Sequence, residues 1–467
     1  MSTGRKISLA IACMVIAFMV AAVFVGPRLV QLNQYRSDVV SYIEQQTGRR
    51  VEIGRLALSI VPVIAIRVDH FAIGSAPGFP AGNWLVVRRI DARLDFSALL
   101  HGQIVIRALK LEQPVLDLFS DQQGHWNFQI GPPRGPVQIP PDDPPPFIIQ
   151  GIIKLTLDQG DIAARELQPN RQAGPSVWNA SGLSLNLGRI SAAELNAVSG
   201  AAPPTLTSSP SATSRELSSS TTGELHIRLL RVSNLEATQV ETSVQVSPSE
   251  VRLGSLHFRF YGGQGQGAIS LLLGAPAPHY QAQIQLAGVE IAGVLAQFPS
   301  ARGQMTGTLS GQATFSGSGH NSEGQQGQGA LMVHQGTWPK LELEPNLVQL
   351  LKLAKLGSSS ANLARFSLIS ADWRLAAGVI TVTKLHIADQ GAVVDSSGTV
   401  DLMRDGRLDF QGDLRMPARQ NALSNLLAGI TGGRFHGNTI DVPFVVNGTA
   451  KKPALGLRAT AHSGSPF

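Results

Sequence analysis

The sequence is poor in cysteine, in charge and in aromatic side chains. Of its 467 residues one is a cysteine, 15% are charged and 6% are aromatic. The single cysteine, Cys13, excludes both an intramolecular disulfide and a thiolate metal cluster. The eleven histidines form no H-E-x-x-H site, and there is no Walker-type loop and no G-x-S-x-G elbow. The sequence therefore assigns no catalytic residue, no metal and no cofactor, and predicts a protein that is not an enzyme.

The composition favours β-structure. The chain contains 48 glycines and 28 prolines, which suits many short strands joined by turns. The formal net charge is +6, but the basic residues are scattered singly, without an aromatic platform, so we expect no nucleic acid partner. Either the charge gives a mildly basic face toward anionic lipid, or it has no specific role.

One long apolar run stands near the N-terminus. Ile7 to Val25 carries no charge and as a helix would span about 28 Å, close to the ~30 Å hydrocarbon core of a bilayer. Arg5 and Lys6 precede it, so the positive-inside rule predicts a single-pass membrane anchor with the few preceding residues in the cytoplasm. A cleaved signal peptide is the alternative interpretation. The predicted anchor residues are Ile7, Leu9, Ile11, Val15, Ile16, Phe18, Val20, Val23, Phe24 and Val25.

After this run the chain alternates apolar and polar residues. The segment Gln31–Gln46 has helical spacing, and Thr47 and Gly48 predict its end. From Val51 the period changes to two, which is typical of strands with one apolar face. Because no strand–helix–strand rhythm follows, we expect mainly antiparallel pairing. Short helices are predicted at Glu290–Phe298, Pro345–Leu356 and Asn421–Ile430.

Two stretches lack strand character. Gly131–Pro146 is rich in proline and predicts an extended connection, and Ser199–Gly223 predicts a disordered loop or a domain boundary. The glycine runs Gly262–Gly267 and Gly324–Gly329 predict turns between strands. The resulting regions are an anchor (1–28), a helix and β-region (29–130), a Pro-rich connection (131–146), a β-region (147–195), a low-complexity loop (196–223), a C-terminal β-region (224–460) and a tail (461–467).

Several segments together resemble the AsmA family of Gram-negative envelope proteins. They are TGRRVEIG (47–54) with LALSIVP to Pro62, the stretch from Leu94 to Phe128 with its Gly-x-Trp-Asn turn, FRFYGGQGQGAISL (258–271), FSLISADWRLAAGVITVTKL (366–385) and IDVPFVVNGTAKKP (440–453). The resemblance implies an inner-membrane anchor with a periplasmic β-structure. It also implies similarity to larger members that carry lipid along a β-groove.

The predicted fold is therefore mostly β, with one transmembrane helix followed by a long, curved, gutter-like sheet and few short helices. A sheet with one apolar face must cover it, fold on itself, or offer it to an apolar ligand. We expect phospholipid to bind there, in support of outer-membrane lipid homeostasis. A closed sandwich is the simpler alternative. The candidate groove residues are Leu94, Phe96, Ile104, Ile106, Leu109, Leu111 and Val115.

Two other functions stay open at this point. The protein could be a structural or interaction protein that uses exposed strand edges in outer-membrane protein assembly or envelope organisation, with other envelope proteins as partners. A glycan hydrolase would need two carboxylates facing each other across a cleft, and the sequence does not show which acidic residues meet.

Overall fold

The computed structural model describes most of the chain in seventeen segments. These are residues 32–59, 63–95, 97–98, 105–121, 125–128, 151–170, 172–191, 220–247, 249–273, 279–299, 301–318, 324–337, 365–389, 392–417, 434–436, 439–450 and 452–457. The predicted anchor, the Pro-rich stretch and the predicted helices 345–356 and 421–430 lie outside these residues. Among the helices that fall inside them, none is both long and apolar enough to cross a bilayer.

The chain divides into two compact units. Unit 1 comprises residues 1–233 and 239–251, and unit 2 comprises residues 234–238 and 252–467. Both are built from strands, so the predicted mostly-β class with few helices is confirmed. Two strands contain residues of both units: β10 (Leu235–Val246) and β11 (Glu250–Phe260).

Unit 1 begins with a helix that packs on its first strand. A 3-10 turn (Leu32–Tyr35) leads into helix α1 (Arg36–Thr47). Gly48 ends the helix in the left-handed conformation, at φ 62°, and its N–H donates to the carbonyl of Glu44 at 2.8 Å. This is the C-terminal cap that the Thr47-Gly48 pair predicts, because glycine adopts positive φ without a steric penalty.

The sheet of unit 1 is antiparallel except along β4 (Ile106–Ser120), which pairs in parallel with β5 (Gly151–Ile152) and β6 (Leu155–Leu167). The parallel pairing of β4 with β6 requires the chain to cross back between them. The residues of that crossover, 121–154, include the Pro-rich stretch. The strands are β1 (Val51–Ser59), β2 (Ala65–Gly74), β3 (Asn83–Leu94), β4 (Ile106–Ser120), β5 (Gly151–Ile152), β6 (Leu155–Leu167), β7 (Ala173–Leu187), β8 (Ile190–Ser191) and β9 (Thr221–Val232).

A row of irregular backbone crosses the middle of this sheet. His70 in β2, Gln113 in β4 and Gln159 in β6 have positive φ values of 55°, 50° and 53°, a conformation that side chains other than glycine rarely adopt. In β1, the neighbour of β2, the buried residues Ile53 and Leu56 are three apart instead of two. The buried apolar residues of β1 therefore change from odd-numbered to even-numbered positions where this row crosses the strand.

A buried asparagine ties the end of β4 to the start of the unit. Asn127 is 0% exposed. Its Oδ1 accepts from the Phe119 N–H at 3.0 Å, and its Nδ2 donates to the Asp117 carbonyl at 2.8 Å and to Ser75 Oγ at 3.3 Å. The buried Arg49 donates to the Asn127 carbonyl at 3.2 Å, and burial lowers the pKa of this guanidinium. Asn127, the last residue of the Gly-x-Trp-Asn motif, therefore links the end of β4 to Ser75 and Arg49 through hydrogen bonds, and we call this set of bonds the Asn127 closure.

Unit 2 is a run of antiparallel hairpins with one short helix. The helix α2 (Ile291–Leu295) lies inside the predicted span 290–298, and a 3-10 turn occupies Leu402–Arg404. Each strand from β12 to β18 pairs with the next, β19 pairs with β21, and β21 also pairs with β20 and β22. The strands are β12 (Gly263–Leu272), β13 (His279–Glu290), β14 (Thr308–Ser318), β15 (Gln326–Thr337), β16 (Arg365–Ala376), β17 (Val379–Ala388), β18 (Val393–Asp401), β19 (Arg407–Pro417), β20 (Arg434–His436), β21 (Thr439–Thr449) and β22 (Lys452–Leu457).

The prediction that the glycine runs are turns is wrong for most of their residues. Gly265 and Gly267 lie inside β12, and Gly327 and Gly329 lie inside β15. Glycine weakens a strand when nothing replaces its side chain. Here aromatic rings on adjacent strands occupy the space, as described below.

The Asn127 closure generates a stability prediction. Replacing Asn127 with alanine leaves the Phe119 N–H and the Asp117 carbonyl buried without partners, so we expect the free energy of unfolding of unit 1 to fall by about 3 kcal/mol. Urea unfolding of the full chain in detergent, followed by tryptophan fluorescence, measures this. Asn170→Ala is the matched control, since Asn170 is exposed and should cost less than about 0.5 kcal/mol. Equal effects of the two changes would refute a structural role for the closure.

Candidate functional site

Register in unit 1 aligns apolar side chains into rows across seven strands. Residues directly opposite on paired strands share a face of the sheet. Two such rows run side by side, two residues apart along each strand. The first row is Leu56, Val68, Ile90, Leu111, Leu157, Leu185 and Leu225, and the second is Leu58, Ile66, Ala92, Leu109, Leu155, Leu187 and Gly223. We call this surface the apolar face of unit 1.

The opposite face of the same strands is charged. Asp69 accepts from Arg55 at 3.1 Å and from Arg89 at 3.1 Å, and Glu112 bridges Arg89 at 3.7 Å to Lys110 at 3.0 Å. The hydrogen bond from Arg89 lowers the pKa of Asp69, and the hydrogen bond to Glu112 raises the pKa of Lys110. Acidic and basic groups therefore alternate across four strands, and this charged face of unit 1 stays hydrated.

Unit 2 carries a longer apolar face of its own. Four parallel rows of apolar or glycine residues cross its strands, with Ser396 as a polar member of one row, and three of the rows reach β21. The two central rows are Gly267, Ile284, Ala313, Gly329, Trp373, Val382, Gly398, Phe410 and Val446, and Ile269, Ala282, Phe315, Gly327, Leu375, Ile380, Val400 and Leu408. We call this surface the apolar face of unit 2.

This face is covered at one edge and half-open elsewhere. Val333, Phe366 and Ile369 are 3%, 5% and 5% exposed, and Ile291 of α2 and Met305 pack against them. Along the two central rows, by contrast, no residue is buried, and Phe315 is 37% exposed. Among the described residues, the cover given by α2 therefore does not extend over the central rows.

Aromatic rings lie over glycines on the apolar face of unit 2. A side-chain carbon added to Gly329 would stand 2.8 Å from the ring of Trp373, and one added to Gly327 would stand 2.9 Å from the ring of Phe315. These pairs are directly opposite in register, and the two rings approach to 5.7 Å between centroids. Each ring fills the space that a side chain at the glycine would occupy. The face therefore projects little above the backbone at these positions. Similar pairs are Phe366 with Gly336, Phe410 with Gly398, and Tyr280 with Gly317.

The other face of unit 2 is polar and rich in amides. In β13, Gln283 and Gln285 are exposed, whereas the intervening Ile284 is half-buried. A hollow of about 670 Å³ lies against this polar face, with Gln266, Gln285, Gln312, Gln328 and Arg374 among its lining residues. The lining also includes Ile284, Ala313 and Trp373 of the first central row, so this hollow is formed by residues of both faces.

No cluster of three or more His, Cys, Asp or Glu side chains that could hold a metal occurs within the described segments.

The sequence-predicted groove residues fall near one end of unit 1. Leu94 ends β3 and pairs directly with Ile106, while Leu109 and Leu111 belong to the two apolar rows. Val115, beyond the irregular row, is 44% exposed. Phe96 and Ile104 lie outside the described residues, as do all the predicted anchor residues.

The prediction named no residue of the larger apolar face in unit 2. Many of its strands, such as β12 and β15, are interrupted by glycine, so the apolar pattern within a single strand is weak and only the register reveals the rows. The available signal was a Gly-x-Gly pair that follows a strand with an aromatic residue, as in GQGQGA (263–268) after Phe258 and GQGALMV (327–333) after Phe315.

Comparison with known proteins supplies the family. A model of the AsmA family matches residues 1–197 and 220–385, which is most of the chain. The protein belongs to the AsmA family. No curated protein and no solved structure matches the chain. Membership of the AsmA family therefore rests on the family pattern, and the two apolar faces are features of this chain's own register.

The ring-over-glycine pairs generate a second prediction. Gly329→Ala brings a methyl group within 2.4 Å of the Gln312 carbonyl and 2.8 Å of Trp373, so we expect the free energy of unfolding to fall by about 1–3 kcal/mol. Gly456→Ala is the control, since its nearest neighbour, Val445 Cγ2, would stand at 3.5 Å. Thermal unfolding of both variants measures the difference. A Gly329→Ala protein as stable as the control would show that the ring is free to move aside.

Proposed function

We propose that this AsmA family protein, held in the inner membrane by the segment 7–25, binds or conducts phospholipid in the periplasm along its apolar β-faces. The observation that carries the proposal is the half-open apolar face of unit 2. Its central rows cross eight and nine strands without a buried residue. Apolar surface of this extent is unfavourable in water, and an acyl chain would cover it.

The dimensions of the face support this ligand. Nine strands at ~4.8 Å spacing extend over about 38 Å, whereas one acyl chain spans half of a ~30 Å hydrocarbon core, about 15 Å. More than one chain length therefore fits along the rows. The chemistry also agrees, because aliphatic and aromatic side chains offer dispersion contacts without a polar group to satisfy.

The arrangement supports carriage and not hydrolysis. The central rows present hydrocarbon and glycine backbone, while the charged and amide groups stand on the opposite faces. A lipid lying along the rows would keep its headgroup at the open side, in water. Movement along the face would require no step that breaks a covalent bond.

Photocrosslinking tests the proposal with a matched pair of neighbours. Benzoyl-phenylalanine replaces Ile284, on the apolar face, or Gln283, the adjacent residue on the polar face of the same strand. The full chain is irradiated in its native membrane, purified and analysed by mass spectrometry. We expect phospholipid adducts at position 284 at least ten times more abundant than at position 283, because only the first position contacts the bound chain.

Two outcomes would overturn the proposal. Equal lipid adducts at both positions would indicate unspecific contact with membrane or detergent. Protein adducts without lipid at position 284 would favour the alternative in which the protein assists outer-membrane protein assembly or envelope organisation. A thermal unfolding curve unchanged from that of the native chain shows that each labelled protein is folded.

A further inference from the structure

A hollow on the charged face of unit 1 has the composition of an anion site. It measures about 310 Å³ and lies at the strand ends, between the last residues of β1 and the first of β6. Its lining contains four cationic side chains, Arg67, Arg93, Lys110 and Lys154, and one carboxylate, Asp91. Basic groups gathered in a concave surface raise the local positive potential.

Two of the four cations have no acidic partner within the segments that the structure describes. Arg67 donates to Asp91 at 2.8 Å, and Lys110 pairs with Glu112 and with Asp158, at 3.0 and 3.3 Å. The other two, Arg93 and Lys154, are exposed and form no ion pair with any carboxylate of the described residues. The alternation of charge that runs across this face therefore ends at the hollow with an excess of positive charge.

The hollow lies at the end of the unit where the chain enters. The 3-10 turn at Leu32 sits beside β1, and the N–H of Leu56 donates to Asn33 Oδ1 at 3.5 Å. Ser59, three residues further along β1, lines the hollow. The seven-residue step from Val25 to Leu32 spans at most about 25 Å, so this end of unit 1 stays close to the end of the segment 7–25.

We propose that this hollow binds the phosphate of an anionic phospholipid headgroup at the membrane surface, with Arg93 and Lys154 as the principal contacts. The inference rests on the proposed function, since it takes the segment 7–25 to be in the membrane. Val63, which also lines the hollow and is 45% exposed, supplies an apolar contact to the lipid. Guanidinium and ammonium groups are the usual partners of phosphate oxygens.

Lipid crosslinking at the hollow tests this assignment. The full chain with benzoyl-phenylalanine at Val63 is placed in nanodiscs of phosphatidylethanolamine, with or without 30% phosphatidylglycerol. We expect phosphatidylglycerol to be enriched among the adducts relative to its share of the bilayer. Arg93→Ala with Lys154→Ala should reduce the ratio of phosphatidylglycerol to phosphatidylethanolamine adducts about ten-fold, and the charge-conserving pair Arg93→Lys with Lys154→Arg should restore most of it.

The matched control removes two exposed cations of unit 2, Arg252 and Lys384, and should leave the enrichment unchanged. Enrichment that survives Arg93→Ala with Lys154→Ala would overturn the proposal. So would its suppression by inorganic phosphate at constant ionic strength, which would identify a site for free anions. Crosslinks at Ile284 in the same nanodiscs report on the proposed function separately, so either idea can fail without the other.

Discussion

The cross-strand register is the constraint on which every surface of this protein depends. Side chains alternate between faces with a period of two, so a slip of one residue would move an entire apolar row to the polar side. Irregularities in the strands respect this limit. Between Leu286 and Val289, and between Val382 and Leu385, the register shifts, yet all four side chains stay in rows of the apolar face. Each register shift therefore leaves the apolar side chains on both sides of it on the same face of the sheet.

The two units differ in the polar groups that cover the water-facing side of the sheet. In unit 1 charges of opposite sign alternate across the strands, as in the series Arg55, Asp69 and Arg89. Exposed ion pairs of this kind contribute only about 0–1 kcal/mol each, so their main effect is to keep the face soluble and close to neutral. Unit 2 places amides such as Gln283 and Gln285 on its earlier strands and charged pairs such as Arg415–Asp441 on its later ones. An excess of cations at one hollow is therefore an exception within unit 1.

Alternation in the sequence was sufficient to predict the β-class, the Thr47-Gly48 pair predicted the end of the helix, and the resemblance of several segments indicated the family. Most of β3 was not predicted, because the adjacent Arg88 and Arg89 break its alternation and find their carboxylate partners only on neighbouring strands. The strand glycines were also misread, since Gly329 is compatible with β15 only because Trp373 on the next strand covers it. The parallel pairing of β4 with β6 depends on the crossover between them. All three misses concern contacts between residues far apart in sequence.

The contrast within the apolar face of unit 2 bears on what could occupy it. The same strands supply Val333 and Ile369, which are 3% and 5% exposed, and the half-open central rows that contain Ile284 and Trp373. Residue type is similar in both places, so burial is set by the cover that α2 and Met305 provide at one edge. Apolar area left in contact with water represents roughly 25 cal/mol per Å². A ligand that covers the central rows gains that free energy. Because the rings lie flat over the glycines, an extended acyl chain could contact this surface along its whole length.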